Sequence, residues 1–280
     1  MLRLSKSKAI AAALLAVAAF CLAAFSRPAV ARAYSSSAAS AIVIECVGGR
    51  VMYEKNADER RPIASTTKIV TAITVIENVS DLEKEVEIPD EAVGVEGSSV
   101  YLEKGEKLRY IDLLYGLMLR SGNDCAVALA CAVSGSTEDF CTLMNMTARK
   151  AGARFSHFAN PHGLPDDDHY STARDLALIS AYAMKNETFA KIVGTKKYDG
   201  CPYADRGYNR SMTNKNKMLS LFDGATGIKT GYTKKAGRCL VSSAEREGVS
   251  LVCVVLDCGP MFEESCALME EAFAKLGEKG

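Results

Sequence analysis

Three short groups of residues in this 280-residue chain have the types and spacing to do chemistry. The first is Ser65-Thr66-Thr67-Lys68. Apolar residues recur behind it at Ile69, Ala72, Ile73 and Ile76, the spacing of a helix that starts near Thr66. Ser65 and Lys68, three positions apart, then share one face. A helix start offers unpaired N–H groups and the positive end of the dipole, which favour an oxyanion formed beside the serine. A lysine can activate a serine only when neutral, and burial or a second cation would push its pKa down. The pattern alone is weak: Ser5 and Lys8 match it too, and Ser65 could simply cap the helix. The second group, Ser121-Gly122-Asn123, offers a hydroxyl to pass a proton and an amide to hold a substrate amide. It reads equally as a loop with a helix cap. The third, Lys229-Thr230-Gly231, closes an apolar strand segment. There a cation beside a glycine would let a substrate backbone approach and pair its carboxylate, unless it is only a strand-end lysine before a turn.

The elements that must position these residues are legible in outline. Ala41–Cys46 and Arg50–Tyr53 around Gly48-Gly49 predict a hairpin. Residues 110–120 predict a buried helix, and Asn123 is placed to cap another through Ala132. Ser136-x-x-Asp139 and Thr172-x-x-Asp175 resemble capping boxes opening helices over 136–151 and 172–185. After Asn186 the pattern turns to β, with strands over 224–231, 237–244 and 249–256, a turn at Glu245–Gly248, and a last helix over 262–276. Strands, then helices, then strands and a helix predict an α/β (α+β) body whose sheet joins both chain ends, with a helical subdomain inserted over roughly 80–195.

Charge and cysteine content divide the chain. The formal balance is 34 basic against 34 acidic residues. Residues 1–33 hold Arg3, Lys6, Lys8, Arg27 and Arg32, no acid, an apolar run over 9–25 and Ala31-Arg32-Ala33. That is the pattern of a secretory signal peptide cut after Ala33, since 17 apolar residues are short for a membrane span. Taking five basic residues from 34 leaves 29 against 34 acidic, a net charge of −5 over 34–280. An acidic chain excludes an electrostatic nucleic-acid binder. Of ten cysteines, nine lie beyond the leader, with no C-x-x-C to suggest zinc or thioredoxin chemistry. Cys125, Cys131 and Cys141 sit at apolar helical positions, and Cys239 and Cys253 on adjacent predicted strands could be neighbours. Mostly free, buried thiols are expected.

Ser-x-x-Lys, Ser-x-Asn and Lys-Thr-Gly, in this order, are together the signature of penicillin-binding proteins and β-lactamases. With YEKNAD (53–58), PIASTTKIVTA (62–72), NPHGL (160–164), HYSTARDLAL (169–178) and TGIKTGYTKKAGRCLV (226–241), the chain resembles the D-alanyl-D-alanine carboxypeptidases among low-molecular-mass penicillin-binding proteins over about 40–276. The resemblance implies a β-lactamase/transpeptidase-like fold, an antiparallel sheet flanked by helices. It implies Ser65 as acylated nucleophile, Lys68 as base, Ser121 and Asn123 as a second wall, and Lys229, Thr230 and Gly231 at the substrate carboxylate. Backbone N–H groups of Ser65 and Tyr232 would form the oxyanion hole. The implied substrate is the stem peptide of peptidoglycan and the implied covalent inhibitors are β-lactams, with no metal or cofactor. One catalytic domain over 34–280, exported and extracytoplasmic, is expected, without the C-terminal β domain of many members, and membrane attachment stays open. The arginine that some members carry after the last strand is replaced here by Asp257-Cys258-Gly259-Pro260, leaving carboxylate binding to Lys229 and Thr230.

Rival readings stay in view. His157, His162 and His169 with Asp166–Asp168 could suggest a zinc peptidase, but no H-e-x-x-H motif is present and two of the three fall in family-like loops. No G-x-S-x-G exists for a Ser-His-Asp hydrolase. A β-lactamase would need a deacylating glutamate, and no E-x-x-L-N segment lies between Asn123 and Lys229. A D,D-endopeptidase that cuts cross-links and a non-catalytic wall-binding relative share the same motifs.

Overall fold

A computed structural model of the chain describes residues 34–203 and 206–277; the expected leader over 1–33 lies outside them. The central sheet takes five strands in the order β2-β1-β9-β8-β7, every pair antiparallel. Its first two strands, β1 (Ser40–Glu45) and β2 (Val51–Lys55), are the expected hairpin. Two short pairs lie apart from it: β3 (Glu85–Glu87) with β4 (Lys107–Arg109), and β5 (Lys197–Pro202) with β6 (Asn209–Thr213). The rest of the main sheet is β7 (Ala225–Thr233), β8 (Gly237–Arg246) and β9 (Val249–Leu256). Thus N- and C-terminal strands share one sheet.

Period-two alternation decides what each face buries. Ile42, Ile44, Cys239, Val241, Val252, Val254 and Leu256 pack into the large core beneath the helices. Ala41, Val43, Leu240, Ala244, Leu251, Cys253 and Val255 pack into a second cluster on the opposite face. Cys239 and Cys253 therefore lie on opposite faces and cannot be neighbours: Cys253 pairs across with Ser242, and Cys239 with Gly231. All nine cysteines among the described residues are free.

Among the described residues, eight α-helices follow from local signals. Lys68–Asn78 is α1, Tyr110–Tyr115 is α2, and Asn123–Ser134 is α3. They are followed by α4 (Thr137–Lys150), α5 (Ala173–Met184), α6 (Glu187–Gly194), α7 (Met218–Leu221) and α8 (Met261–Gly277). The Ser136 hydroxyl accepts from the Asp139 N–H at 3.1 Å and Thr172 from the Asp175 N–H at 3.0 Å, so both expected caps are made. Helix α1 packs against α3, α4 and α5, while α5 and α6 also lie directly on the sheet. No described helix is long and apolar enough to cross a membrane.

Three local expectations fail for physical reasons. The helix expected over 110–120 ends after Tyr115 in a wider π-helical turn, Gly116–Arg120, which turns Ser121 into the left-handed region at φ +65°. The stretch after Asn186 opens with α6 rather than a strand, because the Asn186 side chain accepts from the Phe189 N–H at 3.0 Å and caps a helix. Lys229 lies in mid-strand, not at a strand end: β7 runs on to Thr233, and each residue from Gly227 to Thr233 is paired with β8.

Candidate active site

Ser65 stands in a 3₁₀ turn, Ala64–Thr67, that feeds directly into α1. No side chain caps this start, so Ser65 is not a helix cap. Its neighbours shape the turn instead. The Thr66 hydroxyl donates to the Ile63 carbonyl at 2.7 Å and the Thr67 hydroxyl to the Ala64 carbonyl at 2.8 Å. Gly163 packs over the same carbonyl: a Cβ there would fall 2.0 Å from the Ala64 oxygen, and its φ of +88° suits glycine.

Two of the three histidines support this turn. His169 Nδ1 accepts the Ala159 N–H at 3.1 Å, which leaves the proton on Nε2, 2.7 Å from the Thr67 hydroxyl. Burial pushes the His169 imidazole down to about 4, keeping it neutral. The His162 carbonyl accepts from Lys68 at 2.7 Å, and its ring is pushed down to about 3 by burial and then by Lys68. Among the described residues no cluster of three metal-ligating side chains occurs, and the histidines are committed to these roles.

Lys68 is fully buried. Its Nζ lies 3.0 Å from Ser65 Oγ, 2.6 Å from Asn123 Oδ1 and 2.7 Å from the His162 carbonyl. Burial first, and then the charge of Lys229, holds its pKa well below that of an ordinary lysine. A neutral amine has two N–H donors and one lone pair. Two of the three neighbours, the amide oxygen and the carbonyl, can only accept, so they take the donors. In that neutral form the lone pair would be left facing the serine hydroxyl, an arrangement in which an amine can act as a base.

The second group comes to the same place along α3. Asn123 is its first residue; both ends of its amide are engaged, Oδ1 with Lys68 and Nδ2 with the Glu96 carbonyl at 2.5 Å. The cap position expected for it is held by Gly122 instead, and its Oδ1 faces the lysine. Next to it, Asp124 accepts from the Ser99 hydroxyl, the Val100 N–H and the Leu102 N–H at 2.5, 2.9 and 3.2 Å, pinning loop 98–102 against the helix start. Ser121, 5% exposed, lies at the end of the π turn just before this helix.

The third group forms the opposite wall. Strand β7 is an edge strand bonded only to β8, and it packs against the Ser65 turn. Gly231 makes that approach possible: a Cβ on it would lie 3.0 Å from the Ser65 nitrogen and 3.1 Å from that of Thr66, filling the space an oxyanion would use. Lys229 is 1% exposed, with Nζ on the Thr230 carbonyl at 3.0 Å. Burial, and then Lys215, pushes its ammonium down to about 7. Thr230 is half-buried and Tyr232 exposed along the open edge. Sequence reasoning missed Lys215. Its Nζ reaches the Ser98 hydroxyl at 3.2 Å, and it helps to depress both Lys229 and Lys68. Its flanking residues Asn214 and Asn216 were the only local hint, since Asn214 accepts from the Asn216 N–H at 2.9 Å in a side-chain turn.

A sequence model described as D-alanyl-D-alanine carboxypeptidase matches residues 27–259. The chain belongs to the D-alanyl-D-alanine carboxypeptidase family. The D-alanyl-D-alanine carboxypeptidase DacF of Bacillus subtilis is 35% identical over 222 residues, covering 78% of this chain and 57% of that protein. The D-alanyl-D-alanine carboxypeptidase of Streptomyces sp. K15 is 39% identical over 222 residues, covering 74% and 76%. The chain thus spans little more than half of the Bacillus relative and about three quarters of the Streptomyces one. The solved structure titled Streptomyces K15 DD-transpeptidase superposes with a TM-score of 0.79 at 37% identity, covering 86% of this chain and 99% of that one. The fold expected from the motifs, β-lactamase/transpeptidase-like with an antiparallel sheet flanked by helices, is the fold these family members share.

Proposed function

We propose that the chain is an exported serine D,D-carboxypeptidase that removes the terminal D-Ala from peptidoglycan stem peptides. The observation that carries this reading is the buried Lys68 amine, 3.0 Å from Ser65 Oγ with its other two neighbours obligate acceptors. In the proposed sequence, Lys68 takes the Ser65 proton as Oγ attacks the carbonyl of the D-Ala-D-Ala bond. The Ser65 and Tyr232 N–H groups hold the oxyanion, and Lys229 and Thr230 pair the terminal carboxylate. The proton passes through Ser121 to the leaving amine, and D-Ala departs. Water, deprotonated by the same lysine, then hydrolyses the Ser65 ester. β-Lactams would acylate Ser65 by the same attack. Stem trimming removes donors for cross-linking and so would shape the wall. The reading also takes residues 1–33 as a cleaved export signal, with 34–280 as one catalytic domain.

The test is D-Ala release from diacetyl-Lys-D-Ala-D-Ala. The enzyme should release it and Ser65→Ala should not. Release that survives the substitution refutes the assignment. Rapid turnover of nitrocefin would mark a β-lactamase, and cleavage of purified cross-linked muropeptides an endopeptidase. A second reading is favoured by the likeness to the Streptomyces K15 DD-transpeptidase. The two activities differ in whether water or an amine takes the acyl group, so adding glycylglycine and looking for the transfer product separates them.

A further inference from the structure

A groove of about 390 Å³, bordered by Val100, Tyr101, Arg120, Tyr203, Tyr208 and Met212, opens beside the catalytic cleft. Arg120 immediately precedes Ser121, and the rim segment 98–102 is the one that Asp124 pins to the start of α3. The groove and the cleft therefore share a wall.

Its charges are not equivalent. Arg210 is held by Glu106 at 2.6 and 2.7 Å, and Arg206 by Glu103 at 3.0 Å; both also stack on the Tyr203 ring. Each of these cations already has its acid. Arg120, which also lines the groove, is half-buried, and its guanidinium makes no hydrogen bond or ion pair with another described residue. Instead it faces a like charge, contributing to the lowered pKa of Lys215. A partly desolvated guanidinium beside a second cation is an anion site without its anion.

The walls are aromatic. Tyr101 is 75% exposed and Tyr208 58%. Tyr101 is also held in the left-handed region, φ +60°, a conformation that costs a non-glycine residue of order 1–3 kcal/mol. Two bonds impose it: its N–H donates to the Ser99 hydroxyl at 2.8 Å, and its carbonyl accepts from Arg210 at 3.1 Å. Strain that keeps a large apolar ring in water beside a cleft is best accounted for by a ligand that covers the ring.

We propose that this groove is a substrate subsite in which Arg120 pairs a side-chain carboxylate of the residue preceding D-Ala-D-Ala, while Tyr101 and Tyr208 pack its methylene chain. The inference rests on the carboxypeptidase reading. Lys229 on β7 takes the terminal carboxylate there, which leaves the opposite wall for the rest of the donor. The enzyme then selects stem peptides whose third residue is a diamino diacid over those carrying an amine or an amide at that point.

The test measures binding to Ser65→Ala, so that no turnover intervenes. Two peptides, N-acetyl-X-D-Ala-D-Ala with X as 2,6-diaminopimelate or its side-chain carboxamide, differ only in one charge. The acid should bind about tenfold more tightly, the size of one charge-assisted hydrogen bond. Adding Arg120→Gln should erase the difference, and Arg120→Lys should restore part of it. Equal dissociation constants, no binding of the acid, or a difference that survives Arg120→Gln would overturn the subsite. D-Ala release by the unsubstituted enzyme reports on the carboxypeptidase reading separately.

Discussion

Replacing Lys229 with methionine is expected to make the protein more stable while removing its grip on a carboxylate. Lys229 is 1% exposed in the middle of β7, its Nζ bonds only the neighbouring Thr230 carbonyl, and the charges nearest it are the cations Lys68 and Lys215. Burial, then Lys215, lowers its pKa from 10.5 to about 7. At 1.36 kcal/mol per pH unit, holding the ammonium in the folded chain costs about 4–5 kcal/mol. The unfolded chain keeps this proton up to about pH 10.5 and the folded chain only to about 7. The penalty is therefore complete below pH 7, shrinks as the pH rises, and is gone above about 10.5. Methionine fills similar space without charge and forgoes one hydrogen bond worth about 1 kcal/mol. The net gain is about 3–4 kcal/mol at pH 6.5, equivalent to a Tm rise of roughly 10 °C at this size. Urea unfolding of both chains at pH 6.5, 8 and 9.5 measures it, and taking the difference cancels the titrating groups that do not feel the Lys229 charge; Lys68 does feel it, and its relief adds to the gain. A variant no more stable at pH 6.5, or a gap that does not close towards pH 9.5, refutes the reasoning.

Other outcomes follow from the same geometry. Gly231→Ala puts a methyl 3.0 Å from the Ser65 nitrogen, so acylation by labelled penicillin should slow by about 10²–10³-fold in a chain that still folds, with a lowered melting temperature as β7 is pushed off the turn; unchanged acylation would place the oxyanion elsewhere. As Lys229 discharges above about pH 7, KM for a D-Ala-D-Ala peptide should rise with pH and that for the peptide amide should not. Thiol titration of denatured, unreduced protein should find nine reactive thiols in residues 34–280, since Cys239 and Cys253 face opposite sides of the sheet. Eight blocked thiols would contradict that.

What the sequence disclosed, and what it withheld, divides by the range of the interaction. The helix behind Ser65, the capped helices at Ser136 and Thr172 and the closing strands are set by neighbours a few residues apart, and all are found. The three motif groups were legible because each is contiguous. The contacts that give them chemical meaning join residues far apart in the chain. Asn123 reaches Lys68 across 55 positions and the His162 carbonyl reaches it across 94. No periodicity encodes such pairs, and so Asn123 read as a cap and the histidines as possible metal ligands. The π turn before Ser121 was hidden for a similar reason. Its sequence, GLMLR, suits an ordinary helix, and only the bond from the Ser121 N–H to the Gly116 carbonyl, five residues back, shows the wider turn. Lys215 could not be singled out because its closeness to Lys229 depends on how β6 and β7 are brought to the α3 start.

The most direct test of the account is where a β-lactam lands. After brief exposure to benzylpenicillin, intact-mass measurement should show one adduct per chain, and peptide mapping should place it on Ser65. Lys68→Ala should leave Ser65 in place but suppress the adduct, since the serine loses the amine that deprotonates it. An adduct on any other residue, or undiminished labelling of Lys68→Ala, would contradict a serine activated by a buried neutral lysine.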